Sequence, residues 1–158
     1  MALGFAVLGG VVVVVGLGGA VVVLRRRMAI VTVAGPSMQP TLRTGDRVLV
    51  RRAALPALSS GQIVVVERPA LDGTWATAPP SGWSATGREW LIKRLAAVPG
   101  DPSPGGLADG PGAQGVVPAG KFAVLGDNAD SSLDSRSFGY IPAERLLGVM
   151  VRPIERRP

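Results

Sequence analysis

Two residues stand in surroundings that suit nucleophilic chemistry: a serine on a stiff turn and a lysine inside an apolar run. Ser37 sits in Gly35-Pro36-Ser37-Met38-Gln39-Pro40-Thr41-Leu42, where two prolines and a glycine restrict the backbone around the hydroxyl. Such a turn can aim the serine's own N–H and a neighbour's at one oxyanion position. Lys93 sits in Leu91-Ile92-Lys93-Arg94-Leu95, which runs on to Pro99-Gly100-Asp101. Two further polar groupings accompany them: the turn and strand start Gly45-Asp46-Arg47-Val48-Leu49-Val50, and Gly126-Asp127-Asn128 followed by Ser132, Asp134, Ser135, Arg136 and Gly139. Taken one at a time these have ordinary readings: a turn serine, a lysine snorkelling from a sheet edge, and a loop that satisfies its own polar groups.

Composition narrows the chemistry. The 158 residues include no cysteine and no histidine, which removes thiol nucleophiles, zinc fingers and any triad that relies on imidazole. A hydroxyl must therefore be activated by another base. Fifteen of the seventeen basic residues are arginines, which keep their proton at neutral pH, so the lysine candidates are Lys93 and Lys121 alone. The net charge of +6 would suit either nucleic acid or an anionic membrane surface and does not separate them.

The elements that must position these groups read as strands between Gly/Pro-rich turns. Short β-branched runs cover Ala29–Ala34, Arg47–Arg51, Gln62–Glu67, Trp90–Val98, Lys121–Leu125 and Leu147–Arg152. They predict a mainly β domain, either small sheets or a partly open barrel. Pro69–Arg88 and Pro99–Gly120 read as loops, the second with few anchors for a core. Ahead of this domain, residues 2–24 form an uncharged apolar run of 23 residues. As a helix it would measure about 34 Å, enough to cross a hydrocarbon core of roughly 30 Å. It lacks the basic n-region and short apolar core of a cleaved signal and runs into Arg25, Arg26 and Arg27, so it reads as a retained anchor. The expected organisation is a membrane anchor over 1–27 and a catalytic domain over 28–158.

The four groupings, in order, resemble the signature boxes of type I signal peptidases, the Ser-Lys proteases of family S26. S-M-x-P-T-L, G-D-x-V-x-V, K-R-x-x-x-x-P-G-D and G-D-N-x-x-x-S-x-D-S-R read through without gaps between Val31 and Gly139. The resemblance implies a signal-peptidase-like β fold, Ser37 as nucleophile and Lys93 as general base. Free lysine, with a pKa of about 10.4, is neutral in roughly one molecule in 2,500 at pH 7, so the family's chemistry needs burial to favour the neutral amine. Ser132 matches the serine that orients the amine, and Asp134 and Arg136 match a pair that braces the loop. Gly35 departs from members that carry a serine there for the oxyanion hole. That leaves the Ser37 N–H as the expected donor, with a second one unassigned. Val31, Val33, Ala34, Met38, Leu42 and Ile92 match positions lining shallow pockets for small residues, although any of them could equally be core.

The implied reaction is removal of N-terminal signal peptides from translocated preproteins at the plasma (inner) membrane. Membrane lipid is the other expected partner, with no nucleic acid, metal or cofactor. Signal peptides emerge on the extracytoplasmic side, which places the domain there, whereas Arg25–Arg27 after the span favour a cytoplasmic domain by charge bias. Two alternatives stay open: a dedicated S26-type maturation protease for one exported partner, and an inactive membrane-anchored binding module.

Overall fold

A computed structural model describes residues 27–70, 74–75, 89–107 and 115–154. The apolar run at 2–24 and Arg25 and Arg26 lie outside the described residues, and among those described no helix is long and apolar enough to cross a membrane.

Among the described residues there are seven strands: β1 (Met28–Thr32), β2 (Arg47–Arg52), β3 (Ile63–Glu67), β4 (Trp90–Ala97), β5 (Lys121–Leu125), β6 (Ile141–Pro142) and β7 (Leu146–Ile154). They make one antiparallel sheet in the order β1-β2-β7-β3-β4-β5-β6, curled into a half-barrel. Of the two expected forms, the partly open barrel is therefore the closer description. Register shifts at Leu49/Val50, Val65/Val66 and Leu95/Ala97 mark bulges, which bend strands and increase their twist.

The apolar run Ile63–Glu67 becomes an interior strand buried along its whole length. Its alternating side chains feed two cores: Val64 and Val66 pack with Leu95, Phe122, Val124 and Ile141, while Ile63 and Val65 pack with Val33, Met38, Val48 and Val50. Glu67 ends the strand and is buried because the register with β7 sets it against Arg145, whose guanidinium donates to its carboxylate at 2.9 Å.

The stretch after β4 is a loop, as expected, with no strand or helix among its described residues before Lys121. Leu107 and Val117 are buried with Ala97 and Ala123, Pro102 bridges Val116, and the Tyr140 hydroxyl donates to Ser103 at 2.7 Å. Two buried aliphatics within the loop, and Tyr140 from outside it, are thus its anchors.

Candidate active site

The Ser37 turn is built on the end of β1. Val33 and Asp46 close its base through backbone bonds from Val33 N–H to Asp46 and from Gly45 N–H to Val33. Gly35 turns the chain at φ +80°, a conformation that L side chains rarely adopt, which accounts for glycine at this position. One residue beyond Ser37, Met38 is almost wholly buried and ties the turn to the core beneath it.

Lys93 reaches the same point from β4, opposite Val64 of β3 and on the strand face shared by Leu91 and Leu95. Its side chain is 2% exposed, and Nζ lies 2.6 Å from Ser37 Oγ. Burial lowers the amine's pKa from its ordinary value. The negative charge of Asp134 opposes that shift, and Arg136 reinforces it. A neutral amine at hydrogen-bond distance can take the serine proton as Oγ attacks a carbonyl.

Asp134 lies under this dyad, wholly buried and ionised. Burial alone would raise its pKa. Hydrogen bonds from the Arg136 side chain, the Gly126 N–H, the Ser132 hydroxyl and the Arg136 N–H outweigh that and bring it to about 2. Against an ordinary carboxyl near 3.8, this contributes about 2 kcal/mol of stability above pH 4, lost as pH falls towards 2. Acid denaturation below pH 4 should therefore be less steep in Asp134→Asn than in wild type.

A second staple joins the turn to the loop after β5. Asp127 accepts from Arg94 Nε at 2.8 Å and Nη2 at 2.6 Å, and also from the Thr41 hydroxyl. Asn128 donates through its N–H to the Ser37 carbonyl at 3.0 Å and through its side-chain amide to the Pro36 carbonyl at 3.3 Å. Gly126 lets these strands of chain meet, since a Cβ there would fall 2.1 Å from Ser132 Oγ and 2.6 Å from the Ser37 carbonyl oxygen. Gly126→Ala should therefore push the Ser37 turn off the loop, and its activity is expected to fall at least a hundredfold with the sheet's circular dichroism unchanged.

The family profile described as "Signal peptidase, peptidase S26" matches residues 6–102 and 107–154. The chain belongs to this family. Signal peptidase IB of Staphylococcus aureus (strain COL) is 31% identical, in a match covering 74% of this chain and 72% of that protein. Signal peptidase I of Buchnera aphidicola subsp. Baizongia pistaciae is 53% identical over 36 residues, 23% of this chain and 12% of that one.

Within this S26 domain the expected site residues separate into groups. Ser37, Lys93, Ser132, Asp134 and Arg136 converge, and Gly35 shapes the turn. Ser132 meets a different partner from the one the resemblance implied: its hydroxyl donates to Asp134 at 2.6 Å and makes no hydrogen bond to Lys93. The physical reason is that a carboxylate ionised down to pH 2 is the stronger acceptor. Ser132→Ala removes one of the bonds that hold Asp134 ionised beside the amine. The expected result is roughly a tenfold loss of kcat with the fold intact.

Of the expected pocket residues, Val33, Met38 and Leu42 are buried, and Val31 and Ile92 pack against the same core. Ala34 stands apart as exposed. Sequence reasoning gave Arg94 and Thr41 no role, although both lie inside quoted boxes. The usable signal was the basic residue next to Lys93, which on a strand must leave by the other face and so needs its own acid.

Proposed function

We propose that this chain is a membrane-anchored serine endopeptidase that removes N-terminal signal peptides from translocated proteins through a Ser37–Lys93 dyad. The observation that carries this reading is the 2.6 Å approach of a buried, pKa-lowered amine to a serine hydroxyl on a rigid turn. Ser37 Oγ attacks the scissile carbonyl while Lys93 takes its proton. The ammonium then returns a proton to the leaving amine, and Lys93 activates the water that releases the acyl group. Asp134 and Arg136 set the amine's proton affinity in opposite directions. The acid limb of the kcat/KM profile should therefore move to higher pH in Arg136→Gln and to lower pH in Asp134→Asn.

Residues 2–24 act as the anchor, and the domain faces the extracytoplasmic side, where signal peptides emerge. Ser37 lies ten positions beyond Arg27, so even an extended chain keeps the nucleophile within about 36 Å of the bilayer edge. The test is a panel of preproteins offered to the detergent-solubilised full chain, with cleavage sites mapped by mass spectrometry. Cuts after small-x-small ends across several preproteins support the reading; cleavage of one partner only would make it a dedicated maturation protease, and no cleavage would remove it. Protease shaving of intact spheroplasts should digest the chain beyond Arg27, and full protection there would reverse the orientation.

A further inference from the structure

The oxyanion site raises a question that the dyad leaves unanswered: what aims the Ser37 N–H? Position 35 is a glycine and offers no side-chain donor, so the backbone N–H has more to do here. That N–H finds no protein acceptor among the described residues. It belongs to the same planar peptide unit as the Pro36 carbonyl, and in a trans peptide the two point in opposite directions. Whatever fixes the carbonyl therefore fixes the aim of the N–H.

Two donors hold that carbonyl. The Gln39 N–H reaches it at 3.0 Å from within the turn, and the Asn128 side-chain amide reaches it at 3.3 Å from the loop after β5. The Gln39 bond is local and moves with the turn. Asn128 is anchored elsewhere: its own N–H donates to the Ser37 carbonyl at 3.0 Å, and its neighbour Asp127 is clamped by Arg94 of β4. Asn128 thus grips two successive carbonyls, Pro36 and Ser37, and refers the peptide plane between them to the strand that carries Lys93. We infer that Asn128 is a positioning residue that aligns the Pro36–Ser37 peptide so that the Ser37 N–H meets the oxyanion. Accepting a bond at the carbonyl also polarises the N–H of the same unit and strengthens it as a donor.

The inference rests on Ser37 being the nucleophile, and its test separates the two. The full chain is compared with Asn128→Ala and with Asn128→Leu, which keeps the size and removes the amide. Four quantities are read: kcat, KM, the acid limb of the pH profile, and affinity for a peptide boronic acid ending in alanine. That probe forms a tetrahedral adduct on the serine and places an oxygen where the oxyanion develops. In whichever variant melts as wild type does, kcat and boronate affinity are expected to fall together by about tenfold, with KM and the acid limb unmoved. Unchanged boronate affinity overturns the inference, as does a shifted acid limb, which would route the loss through Lys93. Boronate binding that survives in Ser37→Ala, or a wild type that neither cleaves nor binds, overturns the proposed function and this inference with it.

Discussion

Ser37→Ala and Lys93→Ala should each reduce cleavage by about 10⁴-fold or more, because in the proposed mechanism nucleophile and base act as one unit and losing either removes the covalent route. Lys93→Arg should fail as completely, since a guanidinium keeps its proton. Lys121, exposed at the start of β5, supplies the control, and Lys121→Ala should retain full turnover. Retention of activity in Lys93→Ala with its loss in Lys121→Ala would show that the base had been misassigned. Lys93→Met carries a second, opposite expectation. The folded pKa of Lys93 is lowered, so burying its ammonium costs stability at every pH below that value, and the cost fades only as pH rises towards 10.5. An apolar chain of similar length avoids the cost, and the inactive Lys93→Met should melt higher than wild type at neutral pH, by about 1 kcal/mol. A lower melting temperature would mean that the Asp134 attraction outweighs desolvation.

Glu67→Ala should be the most destabilising single change away from the site, at about 3–5 kcal/mol, because it leaves the buried Arg145 guanidinium without its carboxylate. Arg145 also stacks over Trp75 at 5.5 Å, so the pair ties the β3–β7 junction to the segment that follows β3. Thermal melts of the detergent-solubilised chain should show a drop of about 10 °C or more. Glu67→Gln, which keeps an acceptor, should lose less. A double Glu67→Leu, Arg145→Met variant should recover most of the loss, since replacing a buried pair by apolar groups is often close to neutral. A loss below 1 kcal/mol in Glu67→Ala would show that water reaches the guanidinium.

The sequence was most legible where pattern and period carry the information. Strand positions followed from β-branched runs between turn residues to within a few residues at each end, as at Lys121–Leu125 and Arg47–Arg52. Two-residue β6 and the one-turn helix Ser135–Phe138 escaped, because neither is long enough to show a period. Strand order was out of reach, since it depends on which faces bury each other across distant segments. The same holds for Glu67 and Arg145: each reads as a surface charge, and only a register joining residues 78 apart buries them together. At the site, box spacing brought forward Ser37 and Lys93 as well as Asp134, yet it could not tell a pocket wall from a core residue. Met38 is the clearest example: matched to a pocket position, it is 1% exposed and packed beneath the turn.

The place of β7 in the sheet has a consequence for how the molecule comes into being. Among the described residues it is the last strand, yet it lies between β2 and β3, with the Ser37 turn on one side and Lys93 on the other. Until it arrives, the β1–β2 pair has no backbone ladder to the strands that carry the lysine, and the Ser37 turn is tied to them by side-chain and loop bonds alone. Closing such long-range pairings is slow compared with forming a hairpin. Pairing of β7 with β2 and β3 is thus the step that completes the sheet beneath the Ser37–Lys93 contact.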